Sequence, residues 1–432
     1  MEYLALVRPP RPEVAALVEG HMAPLRRLRA AGGDGAWWRA AAVVDLAAGA
    51  LQEACFCVLD GFLPPQLAEQ LAEGVWGSRP VGPVGAEGKN GWTRGGTARA
   101  AEAIQSGGGL EERNERLARA LLNPSRGDVA LFSDGDHHLP GTCALCAAVD
   151  ELVDALGSCP AIAQRLAHTD FANSAMFTVY PGGASRYIKH TDNSALTDGR
   201  RLTAILYLNK VWEPSHGGQL RIFEPTMQSV QFKADIEPLF NRLVLFWSTE
   251  EVPHEVLPSY RERAAVSIWY CCARECLQTE EAFKRLACRA RCIAGRSRAD
   301  RLEAAGWTPE QRRLLRLLGE PPSPGAAPEE SAAGREREAV RAAVLHDFGG
   351  CEAHRRQRER LSRLFGWDAR AAEAQRQASE AQRQQRGLFE ALGLPLPAPL
   401  EAPAPRVPQT SAPALAEELC RRSAGGGAVA EA

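Results

Sequence analysis

Residues 175–193 read AMFTVYPGGASRYIKHTDN, and their patterning decides the architecture. Ala175–Tyr180 is a run of β-branched, aromatic and small apolar residues. Pro181-Gly182-Gly183 breaks it, as a turn does. His190-Thr191-Asp192 then forms an H-x-D triplet. On an extended backbone, residues two apart point to the same side, so a strand end can present a His and an Asp to one ion. Outward from this stretch similar short runs recur at Leu202–Leu208, Gly218–Phe223, Arg242–Trp247 and Ala264–Tyr270, most of them bounded by Gly, Pro, Asn or Asp. Cys271 and Cys272 close the last run and read as packing residues. Cys55–Leu59 and Asp128–Phe132 read as two earlier strands. Short strands at this spacing predict a mainly β core of the sandwich or jelly-roll kind.

His254 lies farther on, after the run ending at Trp247. It supplies the third member of a 2-His-1-carboxylate face, which leaves coordination positions open on a non-haem iron. Arg263 follows at the start of a β run. Its planar guanidinium can hold a carboxylate bidentately, as the remote acid of a dicarboxylate cosubstrate requires. A lone H-x-D is a weak signal, and the chain holds a second one, His168-Thr169-Asp170. That triplet follows the helical stretch Ala161–Ala167, and Asp170 reads as a turn residue rather than a ligand.

Three regions differ in composition. Residues 1–54 carry helical spacing at Pro12–Ala31 and Ala36–Ala54, split by Gly32-Gly33-Asp34-Gly35. Residues 55–275 carry the β signal, with a helix over Phe62–Val75 opened by Pro64-Pro65 and an amphipathic helix over Thr142–Leu156. Gly77–Gly109 is Gly-rich and reads as a long loop. Residues 276–432 are rich in Ala, Arg, Glu and Gln. Helical patterns run over Glu280–Arg296, Pro309–Leu318, Arg335–Phe348 and Ala369–Leu392, with Pro-rich segments at Pro321–Pro328 and Pro395–Pro413. Aromatics are sparse there, so the expectation is loosely packed helices with disorder, or a segment that binds an unidentified protein.

The 432 residues carry 51 Lys+Arg against 53 Asp+Glu, a net charge of −2, which excludes a globally basic nucleic-acid binder. No apolar run reaches the roughly 18 residues a membrane span needs. The first residues carry Glu2 and Pro9, Pro10 and Pro12, and do not read as a secretory signal. The twelve cysteines therefore read as free thiols. Cys143-x-x-Cys146 lacks the second pair a structural zinc site needs. Cys288 and Cys292 read as neighbours on one helix face.

The stretch from Tyr180 to Asn193 closely resembles the iron-binding segment of the hypoxia-inducible-factor prolyl hydroxylases, a family of Fe(II)/2-oxoglutarate-dependent dioxygenases. So do Leu206–Lys210, Gly217–Phe223, Asp235–Leu243, Phe246-Trp247-Ser248, Pro253–Val256 and Arg263–Tyr270, in the same order. The resemblance covers about residues 55–275. It implies a double-stranded β-helix (jelly roll, cupin-like) with supporting α-helices, flanked by helical and partly disordered N- and C-terminal extensions. It implies that His190, Asp192 and His254 bind Fe(II), and that Arg263 and Tyr207 take the distal carboxylate of 2-oxoglutarate. Tyr180, Thr203, Met176, Leu220 and Trp269 match cosubstrate-side or pocket positions. Tyr187, Trp269 and Asp128, the latter paired with Arg200 or Arg201, match the substrate side.

The implied activity is hydroxylation of a prolyl residue in a protein at C4, with O2 and 2-oxoglutarate consumed and succinate and CO2 released. Ascorbate would keep the iron reduced. An oxygen-sensing role and a cytoplasmic or nuclear location come with the resemblance. The loop over 77–124 departs from the family in length and composition, and the long C-terminal region has no family counterpart. Two other readings fit the residues: an oxygenase acting on another residue or a small molecule, and an inactive scaffold whose tail binds partners. The intact His-Asp-His set and Arg263 argue against the scaffold.

Overall fold

The computed structural model describes residues 7–32, 36–79, 92–94, 127–133, 135–136, 138–167, 169–193, 199–280, 282–283, 290–292, 307–319, 332–345 and 352–391. Most of the expected 77–124 loop, His168, Arg126, Cys288 and both Pro-rich segments lie outside these residues. The chain forms two compact units, one of residues 1–276 and 289–320, the other of 277–288 and 321–432.

The first unit is built on antiparallel sheets. Its strands are β1 (Phe56–Asp60), β2 (Thr93–Arg94), β3 (Val129–Ser133), β4 (Thr169–Asn173), β5 (Ala175–Pro181), β6 (Ser185–His190) and β7 (Arg200–Tyr207). β8 (Leu220–Phe223), β9 (Phe232–Ile236), β10 (Arg242–Trp247), β11 (His254–Ser259), β12 (Glu262–Cys272) and β13 (Ala290–Cys292) follow. Among the described residues the larger sheet runs β1-β10-β7-β12-β5-β3-β2, with β4 and β13 added beside the far end of β12. The smaller runs β6-β11-β8-β9. From β5 to β12 the chain alternates between the two sheets, apart from the β8–β9 hairpin. That alternation is the double-stranded β-helix, and it encloses the site between the sheets.

The larger sheet is buried on both faces along β5, β10 and β12, as the burial pattern of each strand shows. Helices cover its outer face. α1 (Pro12–Ala31) starts with proline at its first position, which lacks only an N–H that no helix start can use. α1 buries Met22 and Leu25, and α2 (Ala41–Glu53) buries Val43, Ala47, Ala50 and Leu51. Each fully buried Leu or Val contributes about 1.5–3 kcal/mol. Indole N–H groups tie this layer down. Trp37 donates to Gly61 O at 3.1 Å, Trp38 to Phe62 O at 3.0 Å, and Trp247 to Leu51 O at 2.7 Å. α3 (Pro65–Ser78) and α4 (Thr142–Leu156) complete the layer. Asp150 on α4 accepts from the buried Tyr270 hydroxyl at 2.7 Å.

Three sequence expectations are corrected. Asp170 is part of strand β4, because the C-terminal end of β12 has turned away from β5 and takes Thr169–Ala172 as its partner. The helix expected over 280–296 is interrupted by β13, whose Ala290–Cys292 backbone pairs with Phe171–Asn173. A free sheet edge outweighs helix propensity over three residues. Gly77, placed in the loop by its composition, is in the last turn of α3. After β12 comes a single helical turn, Ala273–Cys276, and after β13 a helix over Pro309–Gly319 that buries Leu314, Leu317 and Leu318.

The second unit holds helices over Ala332–Leu345, Glu352–Phe365 and Trp367–Ala391. Its small core gathers the rings of Phe283, Phe365 and Trp367, with Phe283 and Trp367 centroids 5.1 Å apart. Trp367 Nε1 donates to Leu277 O, and Arg358 pairs in a fork with Glu280. Among the described residues no helix is long and apolar enough to cross a membrane.

Candidate active site

Strand pairing builds the site. His190, the last residue of β6, stands directly opposite His254, the first of β11. Asp192 follows β6 by two residues. The potential ligand atoms of these three side chains all lie within 4.8 Å of one another. Asp192 Oδ1 is 3.6 Å from His190 Nε2 and 3.8 Å from His254 Nε2. Each imidazole turns its Nδ1 to a backbone carbonyl, His190 to Ile188 O at 2.7 Å and His254 to Val252 O at 2.9 Å. A carbonyl only accepts, so Nδ1 carries the proton and Nε2 keeps its lone pair for a metal.

Electrostatics favour the metal-binding protonation state. Burial pushes the His254 pKa down to about 4, and His190 beside it adds to the effect. The ring is therefore neutral near pH 7. Burial by itself would raise the Asp192 carboxyl, but the neighbouring His254, His190 and Arg200 outweigh it and hold the group well below the usual range. A neutral His254 beside an ionised Asp192 suits a divalent metal. The Asp192 oxygens are also differentiated. Oδ2 accepts from Thr203 Oγ1 at 2.6 Å and from Trp269 Nε1 at 2.9 Å, which leaves Oδ1 facing the histidines.

Arg263, on β12, is buried at 2% exposed. Its Nε donates to Gly218 O at 2.7 Å, and its guanidinium sits 5.1 Å from the Tyr180 ring centroid and 4.9 Å from that of Tyr207. Among the described residues no acid pairs with it. A buried cation without a partner is costly, so the pocket calls for an anion. The Tyr207 hydroxyl is buried beside it and makes no hydrogen bond of ordinary geometry. Burial pushes its phenol pKa up, with Arg263 opposing, so the group is a neutral donor. An unpaired guanidinium next to an idle hydroxyl fits the distal carboxylate of 2-oxoglutarate, and the His-Asp-His face fits Fe(II).

The other residues singled out in the sequence fall as follows. Arg263 is opposite Tyr180 on β5, and Trp269 is opposite Thr203 on β7, so each pair shares a face of the larger sheet. Met176 and Leu220 are buried. Tyr187 stacks on His190, with ring centroids 3.8 Å apart and an interplanar angle of 22°. Thr203 holds the Asp192 carboxylate. Arg200 donates to the Asp192 carbonyl at 3.1 Å and lies over the Trp269 ring, whereas Arg201 is drawn to Glu275. Of the two arginines, Arg200 is therefore the one beside the ligand segment. Asp128, at the foot of β3, is 2% exposed.

Several contributing residues lie in the matched blocks but had no role read for them from the sequence. Phe246 meets the His254 ring edge-on, with centroids 4.6 Å apart. Asn209 donates from Nδ2 to Pro238 O and Ala264 O and accepts from Ala264 N, pinning the backbone next to Arg263. Gly218 has φ +69°, and a Cβ there would stand 3.0 Å from Arg263 Cδ. Period-two alternation could have shown Phe246 facing the site with Val244.

Fold and site together are those of a 2-oxoglutarate and Fe(II) oxygenase type of domain. Residues 175–271 match the 2OG-Fe(II) oxygenase superfamily and form a domain of that kind. Relatives are named as prolyl hydroxylases. The chain is 45% identical to prolyl hydroxylase EGLN3 of Homo sapiens over 115 residues, 26% of this chain and 46% of that protein. It is 49% identical to Egl nine homolog 1 of Homo sapiens over 102 residues, 23% of each. The match spans about half the length of the EGLN3 relatives. Among solved structures, a Trichoplax adhaerens prolyl hydroxylase in complex with a hypoxia inducible factor peptide fragment is 27% identical. It covers 54% of this chain and 91% of its own, at a TM-score of 0.39.

Proposed function

We propose that this protein is a peptidyl-prolyl 4-hydroxylase that uses Fe(II), O2 and 2-oxoglutarate. The observation that carries the reading is the open His190-Asp192-His254 face beside a buried, acid-free Arg263. Bound iron with O2 and 2-oxoglutarate supplies the oxidation: one oxygen atom goes to the prolyl C4, the other to succinate, and CO2 leaves.

The chain's own residues do the rest. His190, Asp192 and His254 hold the metal and leave coordination positions free. Arg263 neutralises the distal carboxylate of 2-oxoglutarate and Tyr207 donates its hydroxyl to it, with Tyr180, Thr203, Met176 and Leu220 lining the pocket. Trp269 closes the pocket beside Asp192 and keeps bulk water out. Arg200 or Arg201 with Asp128, Tyr187, Trp269 and the 77–124 segment receive the protein substrate. Ascorbate keeps the iron reduced. The protein works in the cytoplasm or nucleus, with an oxygen-sensing role, and its C-terminal region binds a further protein. The prolyl hydroxylase names of the relatives support the prolyl assignment.

The test is succinate formation from 2-oxoglutarate by the full chain with Fe(II), ascorbate and a pool of proline-containing peptides. Turnover is expected to rise with peptide, to add one oxygen to proline by mass spectrometry, and to vanish in His254→Ala. Turnover that adds oxygen only to other residues would overturn the prolyl assignment.

A further inference from the structure

Ser248 stands outside the ligand set, directly after β10 and 1% exposed. Its Oγ is 2.8 Å from Thr203 Oγ1, which is itself 2.6 Å from Asp192 Oδ2. Proton counting fixes the direction of this chain. A hydroxyl has one proton, and an ionised carboxylate has none to give. The Thr203 proton therefore goes to Asp192. Thr203 Oγ1 is left as an acceptor, so the Ser248 proton goes to Thr203.

Backbone bonds hold the serine in place. Its N–H donates to Arg201 O at 3.0 Å, and its carbonyl accepts from Asn193 N at 2.7 Å. Ser248 thus fastens Asn193 to the start of β7. Trp269 Nε1 occupies the other approach to Oδ2 at 2.9 Å. With Oδ2 engaged twice, Oδ1 is the oxygen presented to His190 and His254 at 3.6 and 3.8 Å.

We infer that Ser248 is a positioning residue for the metal centre: by directing the Thr203 proton onto Asp192 Oδ2, it reserves Oδ1 for the metal. The inference rests on reading His190, Asp192 and His254 as a metal site. Without the Ser248 hydroxyl, Thr203 Oγ1 is a buried acceptor with no donor, and its own rotor loses the bond that fixes it. Donor chains polarise one another, so the contact to Oδ2 weakens as well. The carboxylate then swings toward binding through both oxygens. Removing outer partners of a ligand costs about 10–100-fold in metal affinity.

The test is Co(II) titration of the full chain, followed by d–d absorption, for wild type, Ser248→Ala, Ser248→Thr and His254→Ala. Wild-type binding that is lost in His254→Ala establishes the metal site; no wild-type binding removes that reading and this inference with it. Given a metal site, Ser248→Ala is expected to bind about 10-fold or more weakly, and Ser248→Thr close to wild type. Saturated Ser248→Ala is expected to absorb less strongly, the sign of a higher coordination number. Wild-type affinity in Ser248→Ala overturns the inference while leaving the metal site standing. So does weak binding with an unchanged saturated spectrum, which reports lost packing instead. A thermal melt of each apo-protein identifies any variant that is unfolded. If Ser248→Thr is unfolded, the saturated Ser248→Ala spectrum decides.

Discussion

At the scale of single residues, Arg263 is a full positive charge at 2% exposure with no acid beside it among the described residues. Such a group is tolerable only if an anion arrives, and truncating one partner of a buried charge pair costs about 2–5 kcal/mol. Arg263→Ala is therefore expected to raise the KM for 2-oxoglutarate at least about 30-fold, at the low end of that range. A steady-state series in 2-oxoglutarate measures it, and an unchanged KM would remove the anion role. His254 makes a second prediction. Its folded pKa of about 4 lies below the ordinary 6.5, so between these values the unfolded chain holds a proton that the folded chain does not. Apo-protein stability is then full above about pH 6.5 and falls as pH drops toward 4. The group contributes on the order of 3 kcal/mol. Urea unfolding of apo wild type is expected to lose more between pH 7 and pH 4.5 than that of His254→Phe.

At the scale of elements, β8 depends on its glycine. Gly218 has φ +69° and touches Ser259 and Arg263, so Gly218→Ala meets both left-handed strain and a Cβ contact of 3.0 Å. A loss of about 1–3 kcal/mol in stability is expected, together with weaker 2-oxoglutarate binding. Thermal melts and the same KM series check this, and an alanine variant of full stability would show that the turn relaxes freely. Elements also explain what the sequence made legible. β5, β7, β10 and β12 are largely buried, so they read as apolar runs. β6, β9 and β11 belong to the smaller sheet, and SRYIKH, FKADI and HEVLPS mix polar with apolar residues too evenly to announce strands. The clustering of His190, Asp192 and His254 was legible because H-x-D needs only local spacing and the blocks around it matched a family. Ser248, Phe246 and Asn209 fell inside matched blocks, but their roles were not legible because those roles come from partners on other strands. β4 and β13 were misread because each exists only through an edge that another strand offers.

At the scale of the whole molecule, the chain passes through its two units twice. It leaves the first at Cys276, returns at Arg289 to add β13 and the helix over Pro309–Gly319, and leaves again after Glu320. A chain ended at Cys276 would keep every candidate site residue and lose the cover of β4. It is expected to melt lower than the full chain and to self-associate in size-exclusion chromatography, because an uncovered strand edge templates pairing. A monodisperse fragment of unchanged melting temperature would show that β13 is dispensable.

That return path also sets an order of assembly on the ribosome. Synthesis runs at about 5–20 residues per second. The site-bearing strands emerge first, and β4 then waits, with one side unpaired, for the segment through Cys292 to follow. For those seconds the nascent chain holds a nearly complete oxygenase domain with an adhesive rim. The late arrival of three residues closes it.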